Sequence, residues 1–260
     1  MMLKSISSYW TSSAAGYDQV IRNQFGSPRT VAFWQSLLAV ELGDRTGQQV
    51  MDVGTGPGFF SILLSRMGHR VTAVDASEGM IQRAQSNFHE YGCPVHAYVG
   101  DAADLSREAD NSYDVIVSRD VVWTLPDPER AYAEWHRILK PGGKLIIFDG
   151  NYLYQDRRTP IRTLWKGLSW VLILVTEKRI RRRSKQDEGL LRELPYTQVL
   201  RPDADEQALA AAGFGGVQIQ RGFMPAGAMP MHYLKYGHQN ANRFKIMAVK
   251  PPVEDKDEKE

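Results

Sequence analysis

Apolar positions beyond residue 45 fall into short runs that alternate between two periods. Residues 49–53, 70–75, 95–99, 113–118 and 144–148 are compact and mostly aliphatic, as strands covered on both faces are. Between them, 59–67, 78–91 and 128–139 repeat apolar residues at helical spacing. Their stops are Gly68, Gly92 and Pro141-Gly142-Gly143. This rhythm predicts an α/β fold: a Rossmann-like, doubly wound, mostly parallel seven-stranded sheet with helices on both faces.

Two segments stand outside the rhythm. Residues 1–44 read as helices, with Tyr17, Val20 and Ile21 on one face, 31–42 forming another, and Ser27-Pro28 parting them. They are expected to form an N-terminal lid. After Gly150 the alternation stops for residues 151–202, which hold Trp165, Trp170, an apolar run and a basic cluster. It resumes with a helix at 205–212, a strand at 217–221, a loop rich in Met, His and Tyr, and a last strand at 244–249. An insertion after the fifth strand leaves from the carboxyl edge of the sheet, where open α/β sheets bind ligands. The expected organisation is lid 1–44, ligand-binding half 45–150, inserted cap 151–202, the rest of the sheet 203–250 and a disordered acidic tail 251–260.

Composition narrows the partners. The chain has 260 residues, enough for one sizeable core with an insertion. Lys and Arg number 32 against 30 Asp and Glu, so no global bias toward nucleic acid exists. Six basic groups nevertheless crowd into 178–185 without an acid, next to the apolar run 168–175. Two readings stay open: a solvated face of a cap helix, or peripheral contact of 170–185 with an anionic membrane or acidic substrate. The single cysteine, Cys93, excludes an internal disulfide, and no metal site is expected. The start MMLKSISSYW lacks a secretory pattern, and 168–175 falls short of the ~20 residues that span a bilayer. A soluble, cytoplasmic protein is expected, of undetermined oligomeric state.

Chemistry concentrates at the first strand–helix turn, Asp52-Val53-Gly54-Thr55-Gly56-Pro57-Gly58. Glycines there let a ligand approach the main chain, and the helix start offers free N–H groups. The dinucleotide fingerprint needs glycine at 59, where Phe59 stands, and the Gly-Lys-Ser/Thr of a phosphate loop is absent. An acid two residues before the first glycine repels a pyrophosphate but suits a cationic amino group. Asp75 ends the second strand, where a carboxylate accepts from ribose hydroxyls. Asp101 follows the third strand, where it suits an adenine amine. Singly, each acid is an ordinary cap or turn residue. Together they match an amino acid, a ribose and an adenine.

The stretches Asp52–Gly58, Ala73-Val-Asp-Ala-Ser77, Gly100-Asp-Ala102, 113–119 and Trp135-His-Arg-Ile-Leu-Lys-Pro-Gly-Gly143 resemble the class I S-adenosylmethionine-dependent methyltransferase superfamily. Within it, the likeness is to the methyltransferase type 11 group that includes ubiquinone- and menaquinone-biosynthesis enzymes, and it covers about 45–150. The resemblance implies S-adenosyl-L-methionine as cofactor and S-adenosyl-L-homocysteine as product. It places Gly54, Thr55, Gly56 and Gly58 against the methionine part, Asp75 on the ribose, and Ala76 and Met80 beside the adenine. Asp101 and Ala102 then read the adenine edge, Ser118 and Arg119 border the methionine moiety, and Tyr17 closes over the ligand.

Such an enzyme aligns a nucleophile with a sulfonium methyl group, and orientation alone is worth roughly 7–11 kcal/mol. A phenol, thiol or carbanion acceptor also needs a base. His232 is the candidate base, Trp123 and Tyr152 are candidate pocket residues, and His136 reads as packing. Asp120 stands where an asparagine is expected and is read as the partner of Arg119. The leading expectation is a small-molecule methyltransferase acting under the cap. A lipid or isoprenoid-quinone methyltransferase at a membrane surface and a non-catalytic cofactor-binding regulator remain alternatives, while Phe59 and Asp52 disfavour a nicotinamide-dependent dehydrogenase.

Overall fold

The computed structural model describes residues 2–153, 160–177, 185–222 and 242–252. In chain order the elements are α1 (Met2–Phe25), α2 (Pro28–Leu42), β1 (Gln49–Val53), α3 (Phe59–Arg66), β2 (Arg70–Asp75), α4 (Glu78–Glu90) and β3 (His96–Val99). There follow β4 (Tyr113–Arg119), a single 3-10 turn at Val122–Thr124, α5 (Pro128–Ile138) and β5 (Leu139–Gly150). The insertion contributes α6 (Pro160–Glu177), α7 (Lys185–Arg192) and a 3-10 turn at Pro195–Thr197. The last elements are α8 (Asp203–Ala211), β6 (Gly215–Arg221) and β7 (Arg243–Val249).

Seven strands lie in the order β3-β2-β1-β4-β5-β7-β6. β1 to β5 are parallel, and β7 runs antiparallel between β5 and β6. The order reverses between β1 and β4, which makes their carboxyl ends the switch point where this architecture opens a crevice. The expected fold is therefore the observed one.

Alternation along the strands assigns the layers. Met51, Val53, Ile116, Leu145 and Ile147 face α5 and α8, in a core with Ala131, Tyr132, Trp135, Ile138 and Leu209. Their neighbours Val50, Val115, Val117, Ile146 and Phe148 face the opposite way, onto α2 and α3. α2 therefore differs from the expected lid. Trp34, Leu38 and Leu42 are core residues, and Trp34 meets Phe60 and Phe148 edge-on. Only α1 remains to cover the sheet's edge.

Two boundaries shift. α5 stops at Ile138 because Leu139 is already extended and pairs with Tyr113. Pro141-Gly142-Gly143 thus bulges within β5, and pairing resumes at Lys144 with Val115. At the other end, Gly150 pairs with Arg243, which carries Arg243 to the point where the insertion departs. Asn151 and Arg201 close the insertion with two hydrogen bonds: Asn151 Nδ2 donates to the Arg201 carbonyl at 2.7 Å, and the Arg201 N–H donates to Asn151 Oδ1 at 3.0 Å.

Candidate active site

The turn after β1 is stitched from within. Thr55 Oγ1 and Ser61 Oγ both donate to Asp52 Oδ2, at 2.8 and 2.6 Å, and the N–H groups of Gly54 and Thr55 donate to the Val74 carbonyl. Asp52 is buried. Burial raises its pKa, against the hydrogen bonds of Ser61 and Thr55 and the charge of Arg119, which lower it. Its carboxyl group organises the loop from beneath. Ser61, invisible as a site residue in the sequence, is half of that support.

Gly54, Gly56 and Gly58 have distinct reasons for being glycine. A Cβ on Gly54 would collide with Val121, and one on Gly58 with the Phe88 ring. Gly56, at φ +54°, would meet nothing within 4 Å. Two glycines are thus required by packing, while the third borders open space. Gly56 N–H donates to Asp75 Oδ2 at 2.9 Å, and Ser77 N–H donates to Asp75 Oδ1 at 2.8 Å. A carboxylate oxygen has two lone pairs, so each retains one for a ligand hydroxyl. Burial pushes the Asp75 carboxyl up to about 6, more than the Ser77 and Gly56 N–H groups lower it.

α1 lies over this edge. Ser7 Oγ donates to the Ala76 carbonyl at 2.7 Å, and Thr11 and Ser77 hydroxyls are 2.9 Å apart. Ser77 caps α4 by accepting from Met80 N–H, and Met80 is buried. Asn87 Nδ2 lies within hydrogen-bond range of both Asp18 Oδ1 and the Pro57 carbonyl, tying α1 and α4 to the glycine turn. Tyr17 stands farther along α1, edge-on to Trp10 at 5.4 Å. On the far side, Asp101 Oδ1 accepts from Ala103 N–H at 2.9 Å, and the Ala102 carbonyl accepts from the Trp135 indole at 2.9 Å.

At the tip of β4 two polar groups are buried without a hydrogen-bond partner: Ser118 Oγ and Arg119 Nη1. The Arg119 guanidinium rests on Phe59, Phe60 and Trp34, 4.7, 4.9 and 5.4 Å from their centroids. Burial lowers its pKa, opposed by the charges of Asp120 and Asp52. The expected Asp120–Arg119 pair is corrected here. Asp120, in the left-handed region at φ +61°, accepts at its Oδ1 from the Tyr152 hydroxyl and lies 3.7 Å from Arg243. Arg119 is held by the aromatic rings on the other side.

Trp123 and Tyr152 come together, ring centroids 5.2 Å apart. Trp123 is enclosed, its indole N–H bonded to the Asp120 carbonyl at 3.0 Å and its ring packed with Ile6, Leu191 and Leu194. It joins α1 to the insertion. Burial and the Asp120 charge raise the Tyr152 pKa well above the ordinary phenol value, so Tyr152 donates and Asp120 accepts.

Behind them lies a charged group absent from the sequence reading. Arg201 is buried between the rings of Tyr196 and Phe244 and is bidentate to Asp205, at 2.8 and 2.6 Å. Its third nitrogen reaches Asp149 at 2.8 Å. Asp149, pushed up to about 6 by burial, also accepts from Trp123 N–H. The only sequence signals were an acid after the apolar 144–148 and an Arg and Asp four residues apart. His136 packs edge-on to Phe214 at 5.1 Å. His232 and the basic run 178–184 lie outside the described residues, and no metal-binding group of His, Cys, Asp or Glu occurs among the described ones.

Residues 51–147 match the methyltransferase domain family. Ubiquinone biosynthesis O-methyltransferase of Xanthomonas oryzae pv. oryzae is 34% identical over 104 residues, 40% of this chain and 44% of that protein. The enzyme of the same name from Coxiella burnetii is 33% identical over 113 residues, 42% and 48% of the two chains. The chain thus spans less than half the length of these curated relatives. Phosphoethanolamine N-methyltransferase 2 of Haemonchus contortus, solved with S-adenosyl-L-methionine, superposes with a TM-score of 0.57 at 19% identity, covering 84% of this chain and 51% of that one. The cyclase SpnF superposes with a TM-score of 0.53 at 20% identity, over 84% and 80% of the chains. One fold carries both chemistries, so the reaction has to be argued from the site.

Proposed function

From the premise that residues 51–147 belong to the methyltransferase domain family, we propose that this chain transfers a methyl group from S-adenosyl-L-methionine to a hydroxyl of a small-molecule acceptor. The observation that carries the proposal is the pairing of Gly56 with Asp75. A backbone with open space above it is hydrogen-bonded to a carboxylate that keeps a lone pair on each oxygen.

The residues fit the group they would hold. Asp75 accepts from the ribose hydroxyls, and Asp101 from the adenine amine, between Ala76, Met80 and Ala102. The unpartnered Ser118 Oγ and Arg119 Nη1 suit the amino-acid carboxylate, and the charge of Asp52 suits its ammonium. When bound, S-adenosyl-L-methionine supplies an electrophilic methyl carbon on a sulfonium.

Asp120 is the base in this reading. Tyr152 and Arg243 orient its Oδ1, which leaves Oδ2 to take the acceptor's proton as the new oxygen–carbon bond forms and the methyl carbon–sulfur bond breaks, the electron pair leaving on the sulfur of S-adenosyl-L-homocysteine. Because Tyr152 is held protonated, it positions the carboxylate and does not itself remove a proton.

The test is incubation with methyl-labelled S-adenosyl-L-methionine and a panel of phenols, catechols and aliphatic alcohols. Label is expected on oxygen, with Asp120→Asn lowering kcat about 10²–10⁴-fold at unchanged cofactor affinity. Label on nitrogen alone would overturn the hydroxyl assignment. Tight cofactor binding without transfer to any acceptor would favour a non-catalytic binding protein instead.

A further inference from the structure

Folding normally turns apolar side chains inward, yet α6 does the reverse. Leu164, Leu168, Val171 and Val175, at i, i+4, i+7 and i+11, form one stripe, exposed by 78%, 52%, 53% and 70%. Trp170 and Leu174 widen it, while Ser169 on the opposite side is buried. Among the described residues, these six are the majority of the ten large apolar side chains counted as exposed. An apolar face of this size calls for something to cover it.

Charge in the sequence says what. Residues 156–185 contain ten Lys and Arg against two acids, Asp156 and Glu177, a net of +8. The whole chain carries only +2, so everything outside this segment sums to −6. Cations therefore bracket the apolar stripe on both sides in sequence, and they are segregated from an otherwise acidic molecule. Three partners can be compared on that basis. A second copy meeting along the same stripe would bring two strongly basic segments together, at a Coulombic cost. A nucleic acid would satisfy the charge but has no use for six large apolar side chains. An anionic bilayer satisfies both, with an apolar interior beneath a negative surface. α6 does not cross it: its 18 residues include Arg162 and Lys166, and no helix among the described residues is long and apolar enough to span a membrane.

We propose that α6 docks this protein onto an anionic lipid surface, lying in the plane of the interface with Leu164, Leu168, Val171 and Val175 among the acyl chains. Trp170, at the edge of the stripe, suits the boundary between chains and headgroups. The inference does not depend on methyl transfer, because membrane binding is read without turnover.

Co-sedimentation with vesicles tests it. The full chain is expected to bind phosphatidylglycerol–phosphatidylcholine vesicles, to bind pure phosphatidylcholine far more weakly, and to release as salt rises. The double variant Val171→Asp/Val175→Asp should lose about tenfold or more in vesicle affinity, since charges would enter the apolar layer. Its melting temperature and S-adenosyl-L-homocysteine affinity should stay at wild-type values, because both positions are on the surface. Arg181→Gln/Arg182→Gln/Arg183→Gln should weaken binding and flatten its salt dependence. No binding to anionic vesicles, or equal binding by the double variant, overturns the proposal. So does a wild-type dimer that the double variant converts to monomer without any vesicle binding, and so does retention on an RNA oligonucleotide in place of vesicles.

Discussion

Asp75 is costly as a charged group, and the direction of its shift says when. Its folded pKa of about 6 lies above that of an unfolded aspartate, so the folded protein keeps a proton that the unfolded chain releases. This residue's contribution to stability is therefore fully present below about pH 4 and lost as pH rises through about 6. In the proposed site ligand binding follows the opposite sign, because a ribose hydroxyl would donate to the ionised carboxylate. S-adenosyl-L-homocysteine affinity, measured by calorimetry, should be level above pH 7 and about tenfold weaker at pH 5. An unchanged affinity across that range would remove Asp75 from the site. Gly56→Val tests the neighbouring position: it should abolish binding while the fold survives, at a backbone cost of about 1–3 kcal/mol read from denaturant unfolding. The acids and glycines were legible in the sequence because their spacing from strand ends is local. What separates Gly56 from Gly54 and Gly58 was not, since Val121 and Phe88, which fill the space beside the other two, come from distant parts of the chain.

Elements meet at the site through contacts that no local pattern reports. α1 was legible as a helix, but its hydrogen bonds to Ala76 and Ser77 join positions 69 and 66 residues apart. Removing both, as Ser7→Ala/Thr11→Val, should weaken calorimetric cofactor affinity about thirtyfold, in keeping with ~1 kcal/mol for each of two hydrogen bonds. The insertion is held by Arg201, whose bond to Asp149 crosses 52 residues. Arg201→Met leaves two buried carboxylates uncompensated and should cost about 3–5 kcal/mol in urea unfolding. Neutralising both acids as well, with Asp149→Asn and Asp205→Asn, should recover part of that loss. Wild-type stability in Arg201→Met alone would show that the buried charges are not coupled. The sequence placed Arg201 only within the cap 151–202, because nothing local distinguishes a buried arginine from a surface one.

Across the whole molecule, period and punctuation were enough to give the sheet, its seven strands and the insertion after β5. They missed the division of labour within the first 44 residues, where α2 belongs to the core and α1 alone crosses the sheet's edge. They also missed the outward face of α6, because an apolar run looks the same whether a core or nothing covers it. Asp120 shows a similar limit. The identity of its partner depended on the register of β5 against β7, which sets Arg243 beside Gly150. The molecule so assembled has an edge of carboxylates under α1 and, beyond β4, a carboxylate held by a tyrosine and an arginine.

A crystal structure with S-adenosyl-L-homocysteine tests this arrangement most directly. The ribose hydroxyls should lie within hydrogen-bond distance of both Asp75 oxygens, with the homocysteine chain crossing Gly56 toward Ser118 and Arg119. A nucleoside bound elsewhere, or oriented with its adenine at the Arg119 end, would contradict the account.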